Sequence, residues 1–195
     1  MGQSSRQLIL ASSSVYRQRL LTQLGLSFKS LSPDIDESAH PNEPPEELTK
    51  RLAMAKAERA LLDHPTALII GSDQVAELNG LILGKPHTQE RAFAQLKHCS
   101  GQTVRFFTSV ALVSSQNHQI DLVTTEVQFR RLSDSQINSY IKKEEPLDCA
   151  GSFKCEGLGV ALFKSIRSDD PSALIGLPLI SLTHMLCAEG VDVLT

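Results

Sequence analysis

The run TALIIG at 66–71, followed at once by Ser72, Asp73 and Gln74, constrains the fold of this chain more than any other stretch. An apolar run of that length reads as the core of a buried strand, and the abrupt switch to polar residues puts Asp73 at its edge. A carboxylate held there is rigid yet able to reach a crevice, where it can bind a divalent ion or orient water. The competing reading is local: Ser72 and Asp73 begin the next turn.

The neighbouring segments alternate in type. QLILA at 7–11 reads as a short strand and residues 12–25 as a helix entered through Ser12, Ser13 or Ser14, with Val15, Leu20, Leu21 and Leu24 inward and Gly25 as its stop. SFKSLSP adds a strand before the acidic, proline-rich loop PDIDESAHPNEPPEE. From Pro45 a helix carries Leu48, Leu52, Ala55 and Leu62 at helical spacing, with Glu46 and Glu47 in its first turn and Lys56 along it. QVAELNGLILG reads as two short strands about the turn pair Asn79-Gly80.

Further on, a helix is expected from Thr88 to His98, strands over SGQTVRFFTSVALVSS and Ile120 to Arg130, and a helix capped by Ser133 and Gln136 reaching Lys143. GLGVALFKSIRS is strand-like and GLPLISLTHMLCAEG helical. Alternation of this kind favours an α/β fold over a bundle. At 195 residues, one domain or two intimately packed lobes is the expected organisation.

A formal charge of -3, without a long Lys/Arg stripe, supplies no footprint for a stable nucleic-acid or membrane partner. No apolar segment reaches the roughly 18 residues of a membrane span and no signal-peptide pattern opens the chain, so the expected location is cytoplasmic. Cys99, Cys149, Cys155 and Cys187 form no CxxC pair and are expected to be free thiols. GLILGKP lacks the spacing and the Ser or Thr of a Walker A loop, and neither GxSxG nor HExxH occurs.

What remains is a dispersed polar set. Ser12 to Ser14 stand at a helix N-terminus, where free N–H groups favour an anion. Arg17, Lys56 and Lys85 are cations suited to phosphate; Asp36 and Glu37 form a second acidic element, of which Glu37, where it meets Asp73, can supply with it the hard oxygen ligands that Mg²⁺ prefers. In CAGSFKCEGLG, Glu156 can accept the paired N1–H and N2–H donors of a guanine edge. Each has a bland alternative as a solvated loop or surface charge; their agreement on one phosphate-bearing substrate makes the functional case.

LILASSSVYRQRLL, the Asp36-Glu37 pair, Lys56, GSDQV, GKP, SGQTV, CAGSF and IGLPL occur in an order that resembles the Maf family of nucleoside triphosphate pyrophosphatases, over nearly the whole chain and closest to its 7-methyl-GTP branch. The resemblance implies an extended mixed sheet with flanking helices, two lobes around a nucleotide-binding cleft, and often a homodimer. It also implies cleavage between the α and β phosphates to a nucleoside monophosphate and diphosphate. Asp73 aligns with the catalytic acid described as general base, and Ser12, Arg17, Glu37, Lys56 and Lys85 map onto the surrounding polar positions. Arg17, Gln74 and Glu156 match positions tied to substrate choice; the dTTP/UTP branch instead carries Thr after the catalytic Asp and Gln at the third position.

The implied reaction places Mg²⁺ or Mn²⁺ on Glu37 and Asp73, with Ser12, Arg17, Lys56 and Lys85 on the phosphates, Asp73 activating water and Glu156 reading the base. Tyr16 offers a stacking surface or core packing. Two rival readings stay open: dTTP or UTP hydrolysis by the same machinery, and a noncatalytic module binding a modified nucleotide or cap-like RNA.

Overall fold

The computed structural model describes residues 6–195, which divide into two compact units. The first comprises the described residues through Asp73, 108–123 and 170–195; the second comprises 74–107 and 124–169. Strands β1 (Leu8–Ala11), β2 (Phe28–Leu31), β3 (Leu68–Leu78), β4 (Leu81–Leu83), β5 (Thr103–Val113), β6 (His118–Phe129) and β7 (Phe163–Arg167) form one sheet in the order β2-β1-β3-β5-β6-β7, with β4 on β3. β1 is parallel to both β2 and β3, whereas β4 and β7 run antiparallel to β3 and β6, so the sheet is mixed. Helices α1 (Val15–Thr22), α2 (Pro45–Asp63), α3 (Gln89–Cys99), α4 (Asp134–Glu144) and α5 (Leu179–Ala188) complete an α/β fold with flanking helices.

In the first unit the period-2 alternation of strand side chains sorts two separate cores. Leu8, Leu10, Leu68, Ile70, Val110 and Leu112 face α1 and α5, meeting Leu20, Leu21, Leu182 and Leu186. Ile9, Ala11, Ile69, Ala111 and Val113 face α2, meeting Ala53, Ala57 and Ala60. The small residues let α2 approach the sheet so closely that a Cβ on Gly71 would collide with the Ala53 carbonyl oxygen and reach Ala57 Cβ at 3.0 Å.

Helix starts follow their caps. Ser14 accepts from the Arg17 N–H, selecting one of the three serines; α2 begins with Pro45 at its first position and Glu46 and Glu47 in its first turn. The Ser133/Gln136 capping box opens α4. Two expected inward residues face solvent: Val15 is 53% exposed and Leu62 77%. On α2 the buried stripe is instead Leu48, Leu52, Ala53, Ala57 and Ala60, together with Thr49 and Lys56, because the helix turns its alanines rather than its bulkiest apolar side chains to the sheet.

The second unit contains the β3–β4 turn, where Asn79 and Gly80 both take positive φ, 52° and 84°, as a tight hairpin of the primed type requires. Its core includes Phe106, Phe129, Phe153 and Phe163, packed edge to face with centroids 4.8–5.7 Å apart. Buried Glu77 accepts the Gly80 N–H and bonds the Arg105 guanidinium at 2.8 Å. All four cysteines are free, and burial pushes the Cys99 and Cys155 thiols up to about 12. No described helix is long and apolar enough to cross a membrane.

Candidate active site

The strand carrying Asp73 does not stop before it, as the run TALIIG suggests; β3 continues through Leu78, and Asp73 sits within it. Asp73 therefore lies inside a continuous strand, between the segment Leu68–Ile70 that pairs with β1 and the segment Ala76–Leu78 that pairs with β4. Alternation then decides its direction: Ile69, Gly71 and Asp73 share the face turned to α2, and Ser72 points the other way. The close approach of α2 at Gly71 sets Lys56 against that face, where its Nζ lies 2.7 Å from Asp73 Oδ1.

Lys56 is only 7% and Asp73 8% exposed, so removing either partner would leave the other buried without this ion pair. The same ammonium reaches Glu37 Oε1 at 2.9 Å, although the Glu37 side chain is 59% exposed. Asp36 and Glu37 do not act as a pair. Asp36 accepts the Ser38 N–H at 2.9 Å, which holds its carboxyl below the usual range, while Glu37 alone joins Lys56 and Asp73.

On the opposite face, Arg17 Nε donates to the Gly176 carbonyl at 2.8 Å, and the Ser72 hydroxyl donates to the same oxygen at 2.9 Å. Arg17 Nη1 lies 3.4 Å from Ser12 Oγ, which also accepts the Ser14 N–H at 3.2 Å. Burial lowers the Arg17 pKa from its ordinary value, and the charges of Asp73 and Glu37 oppose that fall. A guanidinium stays protonated through such a shift. Ser12 with Arg17, and Glu37 with Lys56 and Asp73, thus form two bonded groups in the first unit, linked through the charges of Asp73 and Glu37 acting on Arg17.

The motif IGLPL contains Gly176, but no role for its carbonyl is readable from the sequence. Asp170 Oδ2 accepts the Ile180 N–H at 2.7 Å; Ser172 Oγ shares its one proton between Asp170 Oδ1 at 2.6 Å and Leu177 O at 2.8 Å and accepts the Leu179 N–H at 2.8 Å. The sequence SDDPS signals a turn, but its bonds to α5 span up to ten residues and have no local signature.

Gln74, Lys85 and Glu156 belong to the second unit. Gln74 is half-buried on β3, and Lys85 is exposed in the loop after β4, which Gln95 fixes through the Gly84 carbonyl at 3.1 Å and the His87 N–H through Leu147 O at 3.0 Å. Exposed Glu156 stands on a turn that α4 pins: Tyr140 Oη accepts the Lys154 N–H at 3.0 Å and Glu144 Oε1 the Leu158 N–H at 2.8 Å. A Cβ at Gly159 would strike the Lys154 carbonyl, so the glycine is required by the turn itself.

Glu37 and Asp73 converge on one positive centre, the Lys56 ammonium, which marks where their oxygens can serve a cation. Among the described residues no three His, Cys, Asp or Glu side chains gather to cage a metal. Two carboxylates suit Mg²⁺ or Mn²⁺ nonetheless, since Mg²⁺ is usually held by one or two carboxylates and completed by substrate phosphate and water. The donor set fits the group.

The loop bearing Glu37 is tied back by Glu43. Arg51 on α2 donates Nε to Glu43 Oε1 at 2.6 Å and Nη2 to Oε2 at 2.8 Å, and the fork pulls the Glu43 carboxyl from 4.5 down to about 2. A folded value below the ordinary one means that this stabilisation is complete above pH 4.5 and is lost as pH falls toward 2. In urea unfolding, the stability gap between wild type and Glu43→Gln is therefore expected to be wider at pH 7 than at pH 3. An equal gap at both would contradict the linkage.

A family model described as Maf-like protein matches residues 7–189. The 7-methyl-GTP pyrophosphatase of Pseudomonas aeruginosa is 55% identical over 95% of this chain and 98% of its own length. That of Pseudomonas putida is 56% identical over the same shares. The solved Ham1 protein of Staphylococcus aureus, 15% identical, overlaps 64% of this chain and 72% of its own with a TM-score of 0.48, too low to bear on fold or function.

Proposed function

We propose that this chain, which belongs to the Maf family, is a nucleoside triphosphate pyrophosphatase that hydrolyses 7-methyl-GTP to 7-methyl-GMP and diphosphate. The observation that carries the chemistry is the Glu37–Lys56–Asp73 arrangement beside Arg17: two carboxylates and two cations at a rigid strand, matched to a polyanion that arrives with a cation. The names of the relatives at 50–56% identity support the substrate.

Water attacks the α-phosphorus, the bond from that phosphorus to the bridging oxygen breaks, and diphosphate departs with that oxygen. Asp73 accepts the proton of the attacking water, its position set by its place within β3 and by Lys56. A Mg²⁺ or Mn²⁺ ion on Glu37 and Asp73 would supply Lewis-acid neutralisation of the triphosphate. Arg17, held by Nε on Gly176 and by Nη1 on Ser12, presents Nη2 to phosphate oxygens, and Ser12 adds a hydroxyl just before α1. Lys56, already within bonding distance of both carboxylates, stabilises charge on the departing group.

Lys85 takes a phosphate contact on the strength of the GKP motif, and Gln74 and Glu156 select the base. Glu156 suits that task because its turn is held by α4 while its carboxylate remains exposed. A homodimer belongs to the same proposal and rests on the resemblance.

The test is a panel of purified wild type and Glu156→Gln against 7-methyl-GTP, GTP, UTP and dTTP under one metal condition, with products identified by phosphorus NMR. Wild type is expected to release diphosphate and to favour 7-methyl-GTP. Glu156→Gln is expected to lose roughly 10- to 100-fold of its discrimination against UTP, the magnitude of a lost charged hydrogen bond to substrate. Preference for UTP or dTTP would replace the substrate, and binding without turnover across the panel would replace the enzyme by a binding module.

A further inference from the structure

We propose that Glu43 and Arg51 are positioning residues that place Glu37 for metal binding, an inference that rests on the functional reading above. Glu37 lies in a proline-rich loop and is mostly exposed, so apolar packing cannot hold it at Lys56. Arg51 provides the missing restraint. Its fork grips the Glu43 carboxylate at 2.6 and 2.8 Å, and the same Nη2 donates to the carbonyl of Ser38, the residue after Glu37, at 2.9 Å.

The loop closes on itself around this grip. Glu43 Oε2 also accepts the His40 N–H at 2.9 Å, the His40 carbonyl accepts the Glu43 N–H at 3.1 Å, and Asp36 accepts the Ser38 N–H at 2.9 Å. Residues on both sides of Glu37 are thereby bonded, and Arg51 anchors the closed loop to α2, the helix that also carries Lys56. One rigid element consequently sets both Glu37 and its cationic partner. A planar fork does this where a lysine could not, because three of its N–H groups are used in fixed directions.

Hydrogen-bonding partners of a metal-binding carboxylate commonly influence metal affinity or activity 10- to 100-fold. Four variants of the full chain separate positioning from general stabilisation: Arg51→Gln, Glu43→Gln, Glu37→Gln and the double variant Glu37→Gln/Arg51→Gln. Binding of Mn²⁺ alone is followed by electron paramagnetic resonance. Turnover is followed against Mg²⁺ concentration with whichever nucleoside triphosphate the wild type hydrolyses.

Arg51→Gln and Glu43→Gln are expected to weaken Mn²⁺ binding and raise the half-activating Mg²⁺ concentration by about 10- to 100-fold, with the nucleotide KM at saturating metal within about threefold of wild type. In the Glu37→Gln background, Arg51→Gln is expected to add less than about twofold, since residues acting through one another are not additive. Folded single variants with wild-type metal dependence would overturn the proposal, as would equal losses in both backgrounds or a wild type that binds no Mn²⁺. A wild type that binds Mn²⁺ but hydrolyses no triphosphate would fail the functional reading instead, and the Mn²⁺ cycle would still decide the clamp.

Discussion

Asp73→Asn is expected to yield a folded protein whose kcat has fallen by roughly a thousandfold, the middle of the range for losing a general base. The substitution preserves shape and leaves an oxygen for Lys56, and Lys56 keeps its 2.9 Å contact with Glu37, so no buried cation is stranded. What disappears is the charge: the amide neither takes the proton of water nor serves a divalent ion as a carboxylate does. Turnover of 7-methyl-GTP with a thermal midpoint measured alongside checks this. Near-normal kcat in a folded Asp73→Asn protein would remove Asp73 from catalysis both as base and as metal ligand.

Gly71→Ala is expected to act on the fold that delivers Asp73. The added methyl group has no room, since it meets backbone at Ala53 and a Cβ at Ala57, neither of which can rotate away. α2 must then move off β3. Overpacking of this kind costs about 3 kcal/mol, which lowers the thermal midpoint of a chain this size by roughly 6–12 °C. Because Ala53, Ala57 and Lys56 ride on the same helix, kcat is expected to fall as well, by about tenfold or more for a displacement approaching 1 Å. A variant with wild-type Tm and kcat would mean that the α2–β3 spacing is not what sets the Lys56–Asp73 contact.

Part of the candidate site is legible in the sequence as residue types, while their grouping is a matter of the fold. The serine-led helix, Glu37, Lys56 and Asp73 were chosen for their chemistry and order, and the first unit gathers them. The details that depend on orientation were not legible. Asp73 was read as the end of a strand because polarity changes there, yet β3 runs on, since a strand in the middle of a sheet accepts a buried carboxylate when a lysine faces it. Val15 and Leu62 were placed inward on apolarity alone, whereas the helices expose them. The bond from Arg17 to the Gly176 carbonyl, the Asp170–Ser172 network and the Arg51 fork have no signal in the sequence, because each joins residues with no shared periodicity.

By itself the sequence determined the kind of most elements, although Leu158–Leu162, strand-like in sequence, fold as a 3-10 helix before β7, together with the starts of α2 and α4 and an ordered motif set that identifies the Maf family. These are properties of short segments, where spacing, capping and side-chain chemistry act between neighbours. Tertiary structure alone decided which face Asp73 takes, that Lys56 bridges it to Glu37 rather than to Asp36, and that Gly176 holds Arg17. Those outcomes depend on the depth to which α2 settles over Gly71 and on bonds between residues as far apart as 159 positions, distances that no local pattern encodes.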